Sequence, residues 1–135
     1  MAKEFELVIV TPFGEVFRGA VHSCTLPGFD GLFQVLPDHA NLVSLLKIGP
    51  LKIESSDGKA RYMALNGGYC EMKDNVLKIM AESAEFAEKI DIDRALSAKK
   101  RAEERLQSKH ANIDIPRAKL AFAKALNRIK IAQLK

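Results

Sequence analysis

Arg94, Arg101 and Arg105 are spaced by seven and four residues, and Arg117, Lys124 and Arg128 repeat that spacing further along the chain. On an α-helix, intervals of seven and four return to one side, so each trio draws a line of cationic ends along its own helix. Guanidinium and ammonium groups in such a line can hold an anion such as a phosphate or a carboxylate. A solvated basic face has the same pattern, and spacing alone does not separate the two. Concentration argues for a partner. From Ile90 to Lys135 there are 12 Lys+Arg against 5 Asp+Glu, net +7, whereas Met1 to Lys89 holds 9 against 12, net −3. The total of +4 conceals an acidic body and a basic arm, and the arm calls for an anionic partner.

No catalytic arrangement accompanies these cations. The serines lack a histidine and an acid at motif spacing, and the acids are scattered over strand-like runs and turns. Gly58-Lys59-Ala60 lacks both the preceding glycine and the following Ser or Thr of a phosphate loop. His22, His39 and His110 show no ligand spacing, so no metal is expected. Cys24 and Cys70 stand far apart, outside any CxxC spacing, and read as buried thiols of a protein kept in a reducing compartment. The expectation is an accessory, non-catalytic protein with no catalytic cofactor.

The cationic lines require two helices, and the sequence writes them nearly twice. Ile-Asp-Ile-Asp-Arg-Ala at Ile90 to Ala95 is echoed by Ile-Asp-Ile-Pro-Arg-Ala at Ile113 to Ala118. In each copy the first Asp can cap the orphan N–H groups of a helix start, and Pro116 suits a first turn, where no hydrogen bond is lost. The spacing predicts a first helix from Asp91 to about Lys109, a turn at His110-Ala111-Asn112, and a second helix beyond. Apolar stripes run through Ile92, Ala95, Leu96, Ala102 and Leu106, and through Ile115, Ala118, Phe122, Ala125, Leu126, Ile129 and Ala132. The stripes should close antiparallel on an alanine-rich seam that buries little area, which suits an element able to open.

Met1 to about Ala84 alternates short β-rich runs with turn signals. Phe5, Leu7 and Ile9 alternate with Glu4, Glu6 and Val8 along the first run, and Pro27 to Gly31 and Pro37 to Asn41 form irregular loops. Gly49-Pro50 splits one pair of expected strands, Asn66-Gly67-Gly68 another, and Ser56-Asp57-Gly58-Lys59 reads as a hairpin turn. Glu82 to Lys89 reads as a linker. The expected fold class is α+β by segregation, with a β-sandwich or flattened barrel over residues 1–87 and a two-helix hairpin over 88–135. No run of eighteen apolar residues and no secretory layout at the N-terminus are present, so a soluble, non-exported chain is expected. A nucleic-acid-binding or adaptor protein built on the basic hairpin is the alternative reading. It is weakened by the lack of exposed aromatics interleaved with the cations, Phe122 falling on the seam.

Thr-Pro-x-Gly-Glu-Val-Phe at Thr11 to Phe17, Leu-Pro-Gly-x-Asp-Gly at Leu26 to Gly31, Val-Leu-Pro-x-His-Ala at Val35 to Ala40 and Gly-Gly-Tyr-Cys-Glu-Met at Gly67 to Met72 follow in an order that, with the terminal hairpin, resembles the epsilon-subunit family of bacterial F-type ATP synthases. The resemblance spans nearly the whole chain. It implies a β-sandwich followed by two helices and a place in the central rotor stalk, on the gamma subunit and the ring of c subunits at the cytoplasmic face of the membrane. It also implies a hairpin that folds against the sandwich or rises along gamma into the alpha/beta catalytic hexamer and inhibits ATP hydrolysis. Two helices of some twenty residues opened end to end would reach on the order of 60 Å.

Several members of the family bind ATP on the folded hairpin as a regulatory ligand, through an I/L-D-x-x-R-A motif matched here by Ile90, Asp91, Arg94 and Ala95. The resemblance places Glu85 at the upstream acidic position and Arg101, Lys124 and Arg128 at the cationic ones. Glu85 or Asp91 would accept from the adenine amine, and the cations would converge on phosphates. Asp91 as a plain helix cap and Arg94 as a surface residue remain the alternative. Asp30, Gly31 and His39 are implied as residues facing the c ring, with His39 alternatively a turn residue bonded within its own loop. Three positions depart from the family pattern: Lys124 stands for a frequent arginine and cannot make a two-pronged contact, Leu32 for a usual acid, and Asp38 and Asn41 for a Gly and a Pro around His39.

Overall fold

A computed structural model of the chain describes residues 3–108 and 112–134. Eight strands form the body: β1 (Phe5–Thr11), β2 (Gly14–Val21), β3 (Ser23–Gly28), β4 (Gly31–Val35), β5 (Leu42–Glu54), β6 (Ala60–Lys73), β7 (Val76–Ala81) and β8 (Ala84–Phe86). They are ordered β2-β1-β7-β6-β5-β3-β4, with β8 on β6, and close into a sandwich. Only β1 and β7 run parallel among the paired strands described. Phe5, Leu7 and Ile9 of β1 point inward with Leu26, Leu51, Met63, Leu65, Met72, Leu77 and Ile79, all at most 2% exposed. Period-two alternation thus builds one core between the layers.

Two expected strand breaks are absent. β5 runs unbroken through Gly49-Pro50, and β6 runs through Asn66-Gly67-Gly68 while staying paired to β5 from Leu42↔Met72 to Glu54↔Ala60. Pro50 lies where the ladder between β3 and β5 is interrupted, the kind of place that admits a residue without an N–H. On its other edge β6 changes neighbour at the glycines, pairing β8 through Met63–Leu65 and β7 through Gly68–Lys73. Gly68 has φ +134°, and a Cβ there would overlap the Met80 carbonyl oxygen, so only glycine allows the crossing. Turn chemistry here marks a change of partner rather than an end.

Glu82 to Lys89 is not a free linker. Ala84–Phe86 is the edge strand β8, followed by a 3-10 turn over Ala87–Lys89. The Arg61 guanidinium lies 3.7 Å from the centre of the Phe86 ring and 2.7 Å from the Glu88 carboxylate, pinning this segment to β6.

The helices are α1 (Ile92–Gln107) and α2 (Ile115–Ala132). Asp91 Oδ1 accepts from the Arg94 N–H at 3.0 Å, Asp114 Oδ1 from the Arg117 N–H at 3.1 Å, and Pro116 sits in the first turn of α2. Of the expected turn, His110 and Ala111 lie outside the described residues. The seam is made of small residues, with Ala95, Ala102, Ala118 and Ala125 all buried, whereas Ile92 and Leu96, expected on it, are 36% and 47% exposed. Small facing side chains let the helix axes approach closely and leave the larger flanking ones outside.

Candidate functional site

The folded hairpin lies on the outer face of β5 and β6. Ile131 and Ala132 of α2 pack with Ala64, Ala87 and Ile90, bordered by Tyr62. Within this small apolar contact Asn127, 8% exposed, donates through Nδ2 to the carbonyls of Gly49 at 3.0 Å and Leu65 at 3.4 Å. A buried amide is tolerated only when its polar atoms find partners, and these two belong to the β-body.

Glu85 and Arg128 meet at this junction. Nε of Arg128 donates to Oε1 at 2.7 Å and Nη2 to Oε2 at 3.1 Å, a two-pronged pair joining β8 to α2. The Arg128 side chain is 20% exposed and that of Glu85 36%, so the pair is partly screened and contributes on the order of 1 kcal/mol to holding the hairpin closed.

The other residues that the resemblance assigned to a ligand are placed unequally. Ile90 and Ala95 are 6% and 0% exposed and serve as packing, Ile90 under α2 and Ala95 in the helix seam. Asp91 caps α1 with the carboxylate that the motif would offer to a ligand. Arg94 and Arg101 are exposed and Lys124 is half-buried, and among the described residues none of the three side chains makes an ion pair. The structure therefore brings Glu85 and Arg128 into direct contact and leaves three cationic ends able to receive an anion.

Asp30 lies with Phe29 in the exposed turn between β3 and β4, and Gly31, at φ +125°, opens β4. His39 lies beyond the far end of β4, on the order of 15 Å along the strand from that turn. Its Nδ1–H donates to the Ala40 carbonyl at 2.8 Å and its backbone N–H to the Leu36 carbonyl at 3.2 Å, so the ring is tied into its own loop. Around these two loops and the neighbouring sheet face, Phe29, Leu32, Leu36, Val43, Leu45 and Tyr69 are large apolar side chains left exposed, from 43% to 72%. So much exposed apolar surface on one small body marks a contact face.

Neither thiol offers a nucleophile. Both cysteines are fully enclosed and unpaired, and burial pushes the Cys70 thiol up to about 11 and Cys24 higher still. Among the described residues no group of three or more His, Cys, Asp or Glu could hold a metal, and no helix is long and apolar enough to cross a membrane. Asn127 and Arg61 escaped the sequence reading. The signal for Asn127 was a polar amide beside the apolar stripe of α2, two residues after Ala125.

Residues 4–87 match the family model of the β-sandwich domain of the ATP synthase delta/epsilon chain, and residues 88–133 match that of its long α-helix domain. The ATP synthase epsilon chain of Desulforamulus reducens is 45% identical over 133 residues, covering 98% of this chain and 100% of the relative. That of Bacillus cytotoxicus is 38% identical over 133 residues, covering 98% and 99%. Among solved structures, a chain of the Euglena gracilis mitochondrial ATP synthase aligns with a TM-score of 0.84 at 23% identity, over all of this chain and 84% of that one. A chain from the central stalk and c-ring of the Tetrahymena thermophila mitochondrial ATP synthase aligns at 0.59 and 16% identity, over 96% and 93%. The sandwich, the capped hairpin and these full-length matches agree: the chain belongs to the ATP synthase delta/epsilon chain family.

Proposed function

We propose that the chain is a non-catalytic subunit of the central stalk, seated on gamma and the c ring, and that its hairpin regulates ATP hydrolysis by leaving the sandwich. The observation carrying this reading is the character of the docking contact. A few alanines and isoleucines, one amide and one partly screened ion pair hold α2 to the body, an attachment weak enough to exchange for another partner. Released end to end, helices of 16 and 18 residues reach about 50 Å, enough for the basic lines to enter a neighbouring acidic assembly such as the alpha/beta hexamer. The exposed apolar face around Leu32, Val43, Leu45 and Tyr69 supports a seat on gamma and the ring, with Asp30, Gly31 and His39 at its margin.

In this reading ATP is the regulatory ligand of the closed state. Arg94, Arg101 and Lys124 take phosphates, and Glu85, Asp91 and Arg128 complete the pocket only while α1, α2 and β8 are together. A ligand that needs all three elements favours closure by its differential affinity. Calorimetric titration of the full chain with ATP tests this. Arg94→Ala or Arg128→Ala is expected to weaken binding tenfold or more, an effect of about 1.4 kcal/mol. A wild-type titration without heat or chemical-shift change would remove the ligand, and an assembled complex whose hydrolysis is unchanged by deleting residues after Lys89 would remove the inhibition.

A further inference from the structure

The loop that carries His39 is held by a residue far away in sequence. Asp74 and Asn75 form the two-residue turn between β6 and β7, both with positive φ, +51° and +62°. The Asn75 side chain then reaches out of its hairpin in two directions. Its Nδ2 donates to the Glu4 carbonyl at 3.0 Å, and its Oδ1 accepts the backbone N–H of Asp38 at 2.8 Å. The Asn75 carbonyl also accepts from the Glu6 N–H at 3.2 Å, so one residue ties the start of β1, the β6–β7 turn and the loop of residues 36–41 together.

The bond to Asp38 falls where the loop needs it. Asp38 has φ +61°, a left-handed conformation in which an L side chain is disfavoured, and the next residue closes the turn by donating from its N–H to Leu36. Glycine would adopt that φ freely, whereas aspartate enters it at a small cost that the hydrogen bond to Asn75 helps offset.

We propose that Asn75 is the positioning residue of the 36–41 loop: it holds Asp38 left-handed and so fixes the orientation in which His39 faces a partner. The importance of that orientation rests on the reading of His39 as a c-ring contact. Asn75→Gly keeps the positive φ of the turn and deletes both side-chain bonds. Amide hydrogen exchange on the full chain, read by NMR, is expected to accelerate about tenfold at Asp38 and His39, the factor of one lost hydrogen bond, with β5 and β7 amides unchanged. Adding Asp38→Gly, which makes the left-handed conformation easy, is expected to restore protection at His39. A general loss of stability would not be rescued by a second glycine. Unchanged exchange at Asp38 and His39, or acceleration without rescue, overturns the proposal. In the assembled ATP synthase, Asn75→Gly is expected to weaken retention of the chain on the c ring. Normal retention with accelerated loop exchange would leave the hold of Asn75 on the loop standing and overturn the ring contact of His39.

Discussion

Asn127 carries the buried part of the polar specificity of the docked hairpin, beside the Glu85–Arg128 pair. Alanines and isoleucines define an apolar surface without fixing how α2 slides over it, whereas an amide bonded to the Gly49 and Leu65 carbonyls fixes one register. Asn127→Leu fills nearly the same space and removes the donor, leaving two carbonyls without that bond. The expected loss is about 1–3 kcal/mol of docking. Hydrogen exchange of α2 amides should then rise by tenfold or more while β-body amides hold, and unaltered α2 protection would show that packing and the Glu85–Arg128 pair set the register without Asn127. Arg61 acts similarly at the root of the hairpin, where stacking on Phe86 and pairing with Glu88 make a fixed hinge post of a segment that composition suggests is loose.

Among the elements, β6 does most to shape the body. It serves three neighbours, and its change of partner at Gly67-Gly68 brings β7 and β8 onto one edge without ending the strand. Gly68→Ala meets both a forbidden φ and the Met80 carbonyl, and the strand cannot shift without breaking its ladder to β5. The cost is expected to be on the order of 4 kcal/mol. Thermal melting checks it: a midpoint within about 3 °C of the parent would show that the crossing has slack. The hairpin differs in kind, since its helices are locally capped and touch the body along α2 and the segment from β8 to Ile90.

The whole molecule combines an acidic body and a basic arm, and its pH response follows from the carboxylates that are paired when folded. The hydrogen bond and charge of Lys52 hold the Glu54 carboxyl below the usual range, the Lys59 backbone N–H does so for Asp57, and Arg61 for Glu88. Each folded value lies below its unfolded one. The stability they contribute is therefore complete above the ordinary values of about 3.9 for Asp and 4.3 for Glu, and is lost as pH falls through the lowered folded values. Melting midpoints should be level from neutral pH to about 5 and fall below about 4. Because Glu88 anchors the root of the hairpin, Glu88→Gln should flatten part of that acid decline. An acid limb identical to the parent's would assign the decline to other carboxylates.

The sequence by itself determined what depends on near neighbours along the chain. Helix starts at Asp91 and Asp114, the cationic lines, the segregation of β from α, the burial of both cysteines and the family resemblance all rest on local spacing, capping and alternation. What it misjudged were the places where a local signal has a tertiary purpose. Gly49-Pro50 and Asn66-Gly67-Gly68 look like ends of strands, yet β5 and β6 continue because their neighbours on either side close the ladder. Glu82 to Lys89 looks like a tether, yet β6 offers it a free edge and Arg61 holds it. Of the residues assigned to a ligand, Ile90 and Ala95 prove to be packing, and only the fold brings Glu85 onto Arg128. Asn127 shows in the sequence only as a polar residue beside an apolar stripe, and neither its role nor that of Asn75 is written there, since an amide is defined by the carbonyl or N–H it meets, and those partners lie 78, 62, 71 and 37 residues away. Propensity and period act over a turn of helix or a pleat of strand, but hydrogen-bond partners across such distances are chosen only when the layers close.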